Sequence, residues 1–204
     1  MQRQKYNENV FINCPFDPSY KLLFDAIVFA VYDCGFVARC ASEEDDGSQI
    51  RVQKVYGIIS NCRLGIHDLS RVRLDRSTKL PRFNMPLELG AFLGAKYFGS
   101  QEQRRKTCLI LDSEKYRYQK FISDIAGQDI QAHENDPRKI IGIVRNWLRV
   151  YSPASIPSGS VISKRYEAFK TDLPLLCKEL KLNTRELIYN DYVLLVSKWL
   201  KVNT

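Results

Sequence analysis

The alternation of strand-like and helix-like segments constrains the fold of this chain most strongly. Short apolar runs rich in β-branched and aromatic residues alternate with longer segments whose apolar residues recur at helical spacing. The runs at 10–16, 36–41, 63–70 and 107–112 are typical of buried strands, and 128–133 is typical of an edge strand. Because strands that alternate with helices pair in parallel, we predict an α/β fold with helices on both faces of a mostly parallel sheet of about five strands.

Capping signals place the helices between these strands. Asp17 followed by Pro18 predicts an N-cap and a first helical residue, for a helix that ends near Cys34. Asn84 is the expected N-cap of the helix that follows the third strand. Asp136 and Pro137 predict a third helix start of the same kind.

The segment 151–160 is rich in Pro, Ser and Gly and predicts a linker between an α/β domain, 1–150, and a C-terminal helical hairpin within 151–204. We expect the first hairpin helix to span 161–180 with an interruption near Pro174. Asn183 with Glu186 predicts a capping box at the start of the second. Such a hairpin cannot bury its apolar face alone, so it packs either on the core or on another subunit.

Composition excludes several classes of protein. No run is apolar enough for a signal peptide or a membrane span, so we expect a soluble, cytoplasmic protein without membrane association. The six cysteines form no C-x-x-C pair and most lie in apolar runs, as reduced, buried cysteines do. With only two histidines, His67 and His133, we predict no metal site.

The net charge of +8 is compatible with two kinds of partner, nucleic acid or a phosphorylated small molecule, or with no partner beyond the solvent. The basic residues are most concentrated in 71–82, where they form either an exposed loop or a phosphate site. Nucleic acid is the least favoured partner, because these residues are not interleaved with aromatic residues.

Carboxylates are the remaining candidates for chemistry, because the sequence has no G-x-G-x-x-G cradle, no P-loop and no G-x-S-x-G elbow. Asp68 ends the third strand, and Glu88 lies near the start of the following helix, where the helix dipole favours its ionised form. We expect both to face one crevice beyond the carboxyl ends of the strands. The alternative is that Glu88 serves only the dipole and Asp68 only a turn.

Gly90 and Gly94 follow Glu88 one turn apart in that helix. Each glycine costs about 1 kcal/mol relative to alanine in a helix, which suggests that a ligand or a neighbouring strand approaches closely.

Three segments carry a resemblance to a known family. The strand VFINCPF with its helix, the strand ending IHDLS, and above all PLELGAFLGA with its E-x-G-x-x-x-G pattern resemble the nucleoside 2-deoxyribosyltransferase-like superfamily. That superfamily looks structurally related to TIR domains that cleave NAD. The resemblance covers about 9–112 and implies a flavodoxin-like, three-layer α/β/α fold and cleavage of the N-glycosidic bond between a base and C1′ of a sugar.

The resemblance also implies roles for individual residues. Glu88 would be the nucleophile or the stabiliser of the oxocarbenium ion, and Asp68 would bind sugar hydroxyls or assist the leaving base. Arg71 or Arg82 would hold a phosphate group, and Asn13 and Phe16 would contact base or ribose. The substrate-binding set is completed by Asp17, Asn84, Met85 and Gly90.

One departure from the family pattern bears on the substrate. The family has an acidic residue shortly before the catalytic glutamate, whereas this chain has Arg82, Phe83 and Asn84. A neutral base leaves poorly without a proton donor, but the nicotinamide of NAD is already cationic. We therefore expect NAD or another phosphorylated nucleotide as a substrate rather than a cofactor, with hydrolysis and transfer both open.

The resemblance further suggests a defence effector that depletes nucleotides when a protein partner or homo-oligomer activates it. The alternative function is a catalytically silent module for nucleotide sensing or protein interaction.

Overall fold

The computed structural model describes residues 2–43, 46–71 and 83–203. These residues contain seven α-helices and five strands, besides short 3₁₀ turns. The helices are α1 Gln2–Glu8, α2 Lys21–Asp33, α3 Arg51–Ser60, α4 Asn84–Phe98, α5 Pro137–Arg149, α6 Gly159–Glu179 and α7 Tyr189–Asn203. The strands are β1 Asn9–Asn13, β2 Val37–Arg39, β3 Leu64–Asp68, β4 Thr107–Asp112 and β5 Ile130–Ala132.

The five strands form one sheet in the order β2-β1-β3-β4-β5, and every pair is parallel. Val10 pairs with Leu64, and Leu64 in turn pairs with Thr107. This is the strand order of flavodoxin-like folds, with the reversal between β1 and β3. The predicted α/β class and parallel sheet are confirmed.

Alternate side chains of the strands define the two faces of the sheet. Val10 and Ile12 of β1 join the large core that contains α2 and α5, whereas Phe11 joins a smaller cluster with α3 and α4. Both faces are therefore covered by helices, as the continuous apolar strands require. The C-terminal helices α6 and α7 pack on the outside of α2 and α5 and contribute to the same large core.

Two predicted helix starts are wrong. α2 begins at Lys21, because Asp17–Tyr20 forms a separate turn in which the Asp17 carboxylate accepts the Tyr20 N–H at 3.2 Å. Asn84 is the first residue of α4 rather than its N-cap, and Phe83 occupies the cap position without a side-chain hydrogen bond.

The C-terminal helices also differ from expectation. α6 continues through Pro174, because the loss of one backbone donor is offset by packing on both sides, including the fully buried Cys177 beyond the proline. The Asn183 side chain caps a turn, accepting the Arg185 N–H at 3.1 Å, but α7 begins only at Tyr189.

Close backbone packing occurs at a different glycine from the predicted ones. A Cβ at Gly90 or Gly94 would meet nothing within 4 Å, so the described residues do not explain these glycines. A Cβ at Gly65 would lie 2.8 Å from the Phe92 ring and 2.9 Å from the His67 ring. Gly65 is therefore where α4 approaches the sheet.

Within the described residues, no helix combines the length and apolar character needed to cross a bilayer.

Candidate active site

The polar residues at the carboxyl ends of four neighbouring strands form the candidate active site. β1 ends in Asn13, β3 in Asp68 and β4 in Asp112, and His133 follows β5 directly. All four side chains are almost completely buried. In a sheet of this order, ligands bind beyond these strand ends, next to the reversal between β1 and β3.

Asp68 is the centre of a buried hydrogen-bond network. Its Oδ2 accepts the Tyr20 hydroxyl at 2.5 Å and lies 2.9 Å from Nε2 of His133. Its Oδ1 accepts the Ser70 backbone N–H at 2.7 Å. Burial alone would raise the pKa of Asp68, but the contacts with His133, Ser70 and Tyr20 outweigh it and lower the pKa below its usual value.

His133 is oriented by the backbone that follows it. Its Nδ1 accepts the Asn135 N–H at 3.0 Å, so the ring proton lies on Nε2, the nitrogen that lies 2.9 Å from Asp68 Oδ2. Glu134 and Asn135 both have positive φ angles, of 54° and 58°, which non-glycine residues adopt at a cost in energy. This strained turn fixes the tautomer that Asp68 requires.

Sequence reasoning missed His133 and Tyr20 as members of the site. From the sequence, His133 was considered only as a possible metal ligand. The available signal was its position at the carboxyl end of a strand in a parallel sheet, the same position that drew attention to Asp68.

Asp112 and Arg117 connect the ends of β3 and β4. Arg117 donates from Nε to Asp112 Oδ1 at 2.8 Å and from Nη2 to the backbone oxygen of Leu69 at 2.8 Å. Burial raises the pKa of Asp112, although the Arg117 guanidinium partly opposes this. The loop after Asp68 is thereby held against β4.

Asn13 links the sheet to the start of α4. Its side-chain amide donates to the Met85 backbone oxygen at 2.8 Å and lies 3.0 Å from Nδ1 of His67. Burial lowers the pKa of His67 to about 3, with a contribution from Lys106, so the ring is neutral and its Nδ1 accepts from Asn13. Asn13 therefore positions the helix that carries Glu88.

Glu88 lies in a cleft of about 170 Å³ between α3 and α4. The other lining residues are Arg51, Val52, Val55, Tyr56, Asn84 and Leu87. Partial burial in these mostly apolar walls raises the pKa of Glu88 to about 7, against the opposing charge of Arg51. Glu88 is the fifth residue of α4, beyond the first turn where the dipole acts, so the dipole that was expected to favour the ionised form does not offset this effect of burial.

The two predicted catalytic carboxylates occupy different surroundings. Asp68 is enclosed between Tyr20 and His133 with none of its surface exposed, whereas Glu88 borders the cleft between α3 and α4. The electrostatic influence of both reaches the buried thiol of Cys14, whose pKa is raised chiefly by burial and then by these charges.

The predicted substrate-binding residues are dispersed around this edge. Asn84 lines the Glu88 cleft. Gly90, two residues after Glu88, is exposed, whereas Met85 is buried. Phe16 and Asp17 line a groove on the other side of the sheet.

Two further expectations concern the basic segment that follows β3. Arg71 is partly buried, and its Nε has no hydrogen-bond partner among the described residues. Arg82 and the other basic residues of 72–82 lie outside the described residues.

The chain matches no model of a protein family, and a search of curated proteins finds no match either. The resemblance to deoxyribosyltransferases thus rests on the three sequence segments alone and stays a prediction.

Proposed function

We propose that this protein cleaves the N-glycosidic bond of a nucleotide, with NAD as the favoured substrate and Glu88 as the nucleophile. The observation that supports the proposal most strongly is the carboxylate of Glu88, partly buried in a small cleft with a pKa raised to about 7. A carboxylate that titrates near neutral pH outside a salt bridge is typical of a reactive group rather than of a surface residue.

The proposed reaction uses the carboxylate that lines this cleft. An ionised Glu88 oxygen attacks C1′ of the ribose while the C1′–N bond breaks and its electron pair passes to the nicotinamide nitrogen. The nicotinamide leaves neutral, and water or a second base then takes the sugar from Glu88. Arg51 lines the same cleft, and its charge favours the ionised form of Glu88.

The state of Asp68 favours a cationic leaving group. Its lowered pKa and the hydrogen bonds that it accepts from Tyr20 and Ser70 keep it ionised, so it has no proton to give to a departing base. A neutral purine or pyrimidine needs such a proton, whereas nicotinamide in NAD does not.

Nicotinamide release from NAD by the purified protein tests this function. We expect release by the parent protein and a loss of at least about 100-fold in Glu88→Gln, since the amide cannot act as a nucleophile. Glu114→Gln, at an exposed glutamate, is the matched control and should retain full activity.

The pH dependence provides a second measurement on the same protein. Because the ionised form of Glu88 attacks, kcat/KM should rise with pH and level off above about pH 7. Release of nicotinamide that is no faster than in Glu88→Gln would refute the proposal. Binding of a nucleotide without any product would instead favour the catalytically silent module. The role as a defence effector that a partner or an oligomer activates stays a prediction.

A further inference from the structure

We infer that a second ligand site lies on the opposite side of the sheet from Glu88 and takes a nucleoside monophosphate, a planar ring that carries an anionic group. The site is a groove of about 420 Å³ between the loop after β1, the first turns of α2 and the segment that leads into α7. We call it the C-terminal groove. Its volume is in the range of small-molecule sites.

Aromatic side chains form one wall of the C-terminal groove. The Phe16 ring packs edge-on against Phe24, with ring centroids 5.4 Å apart, and Phe24 lies 5.9 Å from Tyr189 in turn. Phe24 and Tyr189 are largely enclosed, but Phe16 is 44% exposed although the Phe24 ring packs against it. A preorganised, accessible ring of this kind provides a stacking surface for a planar base.

Two opposite charges of the C-terminal groove lack an ionic partner among the described residues. The cation Lys21 is already paired with Asp25, since its Nζ lies 2.9 Å from the carboxylate. Arg185 forms no ion pair within the described part of the chain, and Asp17 accepts only from the Ser19 hydroxyl and the Tyr20 N–H. Arg185 is therefore free for an anionic group, and Asp17 for hydroxyl donors of a sugar.

The ring of Phe16, the guanidinium of Arg185 and the carboxylate of Asp17 together indicate the class of ligand. A stacking ring, a guanidinium and a carboxylate along one groove match the base, phosphate and ribose of a mononucleotide. The Glu88 cleft is lined by α3 and α4, whereas the C-terminal groove is lined by α2 and the approach to α7, so the inference does not depend on the proposed reaction.

Titration calorimetry with three probes tests the C-terminal groove: adenosine monophosphate, adenosine and inorganic phosphate. The Glu88→Gln protein is used throughout, so that neither turnover nor its absence affects the result. We expect adenosine monophosphate to bind most tightly and Phe16→Ala to weaken it about 10-fold, the loss of one base stacked on an aromatic ring. Because Phe16 is exposed, this variant should fold normally, which circular dichroism checks.

Arg185→Gln separates the phosphate from the base. It should weaken binding of adenosine monophosphate about 10-fold and leave adenosine unchanged. Arg138→Gln, at an exposed arginine on α5, is the matched control and should change neither. Absence of binding at millimolar nucleotide would overturn the inference. So would binding that is insensitive to Phe16 and Arg185 but lost in Arg51→Gln, which would place the nucleotide in the Glu88 cleft instead.

Discussion

Glu88 and Asp68 show how one kind of side chain acquires opposite properties in one fold. Both carboxylates are withdrawn from water, which by itself raises the pKa of each. Asp68 accepts hydrogen bonds from Tyr20 and Ser70 and lies 2.9 Å from Nε2 of His133, and these contacts reverse the shift. Among the described residues, the charge of Arg51 opposes the burial of Glu88 but does not outweigh it, so the pKa of Glu88 remains raised.

The raised pKa of Glu88 predicts a measurable effect on stability. Its folded pKa of about 7 exceeds the ordinary value of 4.5, so the native state binds more protons than the unfolded state between these pH values. Stability contributed by neutral Glu88 is therefore present below pH 4.5 and is lost as the pH rises through 7. Glu88→Gln removes this titration.

We expect the free energy of unfolding of Glu88→Gln, relative to the parent, to increase by roughly 2 kcal/mol between pH 5 and pH 8. Urea unfolding at the two pH values measures this difference, and Glu114→Gln controls for the loss of an exposed charge. An equal difference at both pH values would mean that Glu88 is not withdrawn from water.

At the scale of elements, the glycines of β3 and α4 differ in whether their surroundings have room for a side chain. Gly65 is required, because any Cβ there would overlap the buried rings of Phe92 and His67. Gly90 faces open space on the exposed side of α4, where an alanine would fit and would favour the helix.

Two substitutions test this contrast. Gly65→Ala should lower the free energy of unfolding by about 1–3 kcal/mol, because a tightly packed core must adjust to the added methyl group. Gly90→Ala should raise it by about 0.5–1 kcal/mol, because alanine restricts the unfolded chain and favours the helix. Urea unfolding of both variants measures these changes in the free energy of unfolding. A destabilised Gly90→Ala protein would show that another part of the molecule packs against this face.

At the scale of the whole molecule, the C-terminal helices are part of the main core. Trp199 of α7 is 5% exposed and packs 5.9 Å from both Phe29 of α2 and Phe169 of α6. Its indole N–H also donates to Asp172 at 2.8 Å, which joins α6 to α7. The hairpin was expected to pack either on the core or on another subunit, and the structure shows it packed on the core of its own chain.

Trp199→Ala should therefore destabilise the entire protein, by about 3–5 kcal/mol, in a single unfolding transition. Leu194→Ala, at a residue of the same helix that is 54% exposed, is the matched control and should cost less than about 1 kcal/mol. Fluorescence and far-ultraviolet circular dichroism should report one coincident midpoint. Separate transitions would mean that the C-terminal helices unfold independently of the sheet.

The fold class, and the edge of the sheet that carries the candidate site, could be predicted from the sequence alone. Continuous apolar strands that alternate with amphipathic helices have one stable arrangement, a parallel sheet covered on both faces, and the strand ends then share one edge. Asp68 and Glu88 could be singled out for this reason. Helix starts such as Asn84 were harder, because several residue types tolerate the cap position and packing decides among them.

The contacts within the site were decided only by the tertiary structure. His133 and Tyr20 reach Asp68 across 65 and 48 positions of the chain, and no local pattern encodes such distances. The pKa of Glu88 likewise depends on the walls that α3 places around it. Local periodicity is a property of neighbouring residues, whereas burial and hydrogen bonding at a site depend on which distant segments the fold brings together.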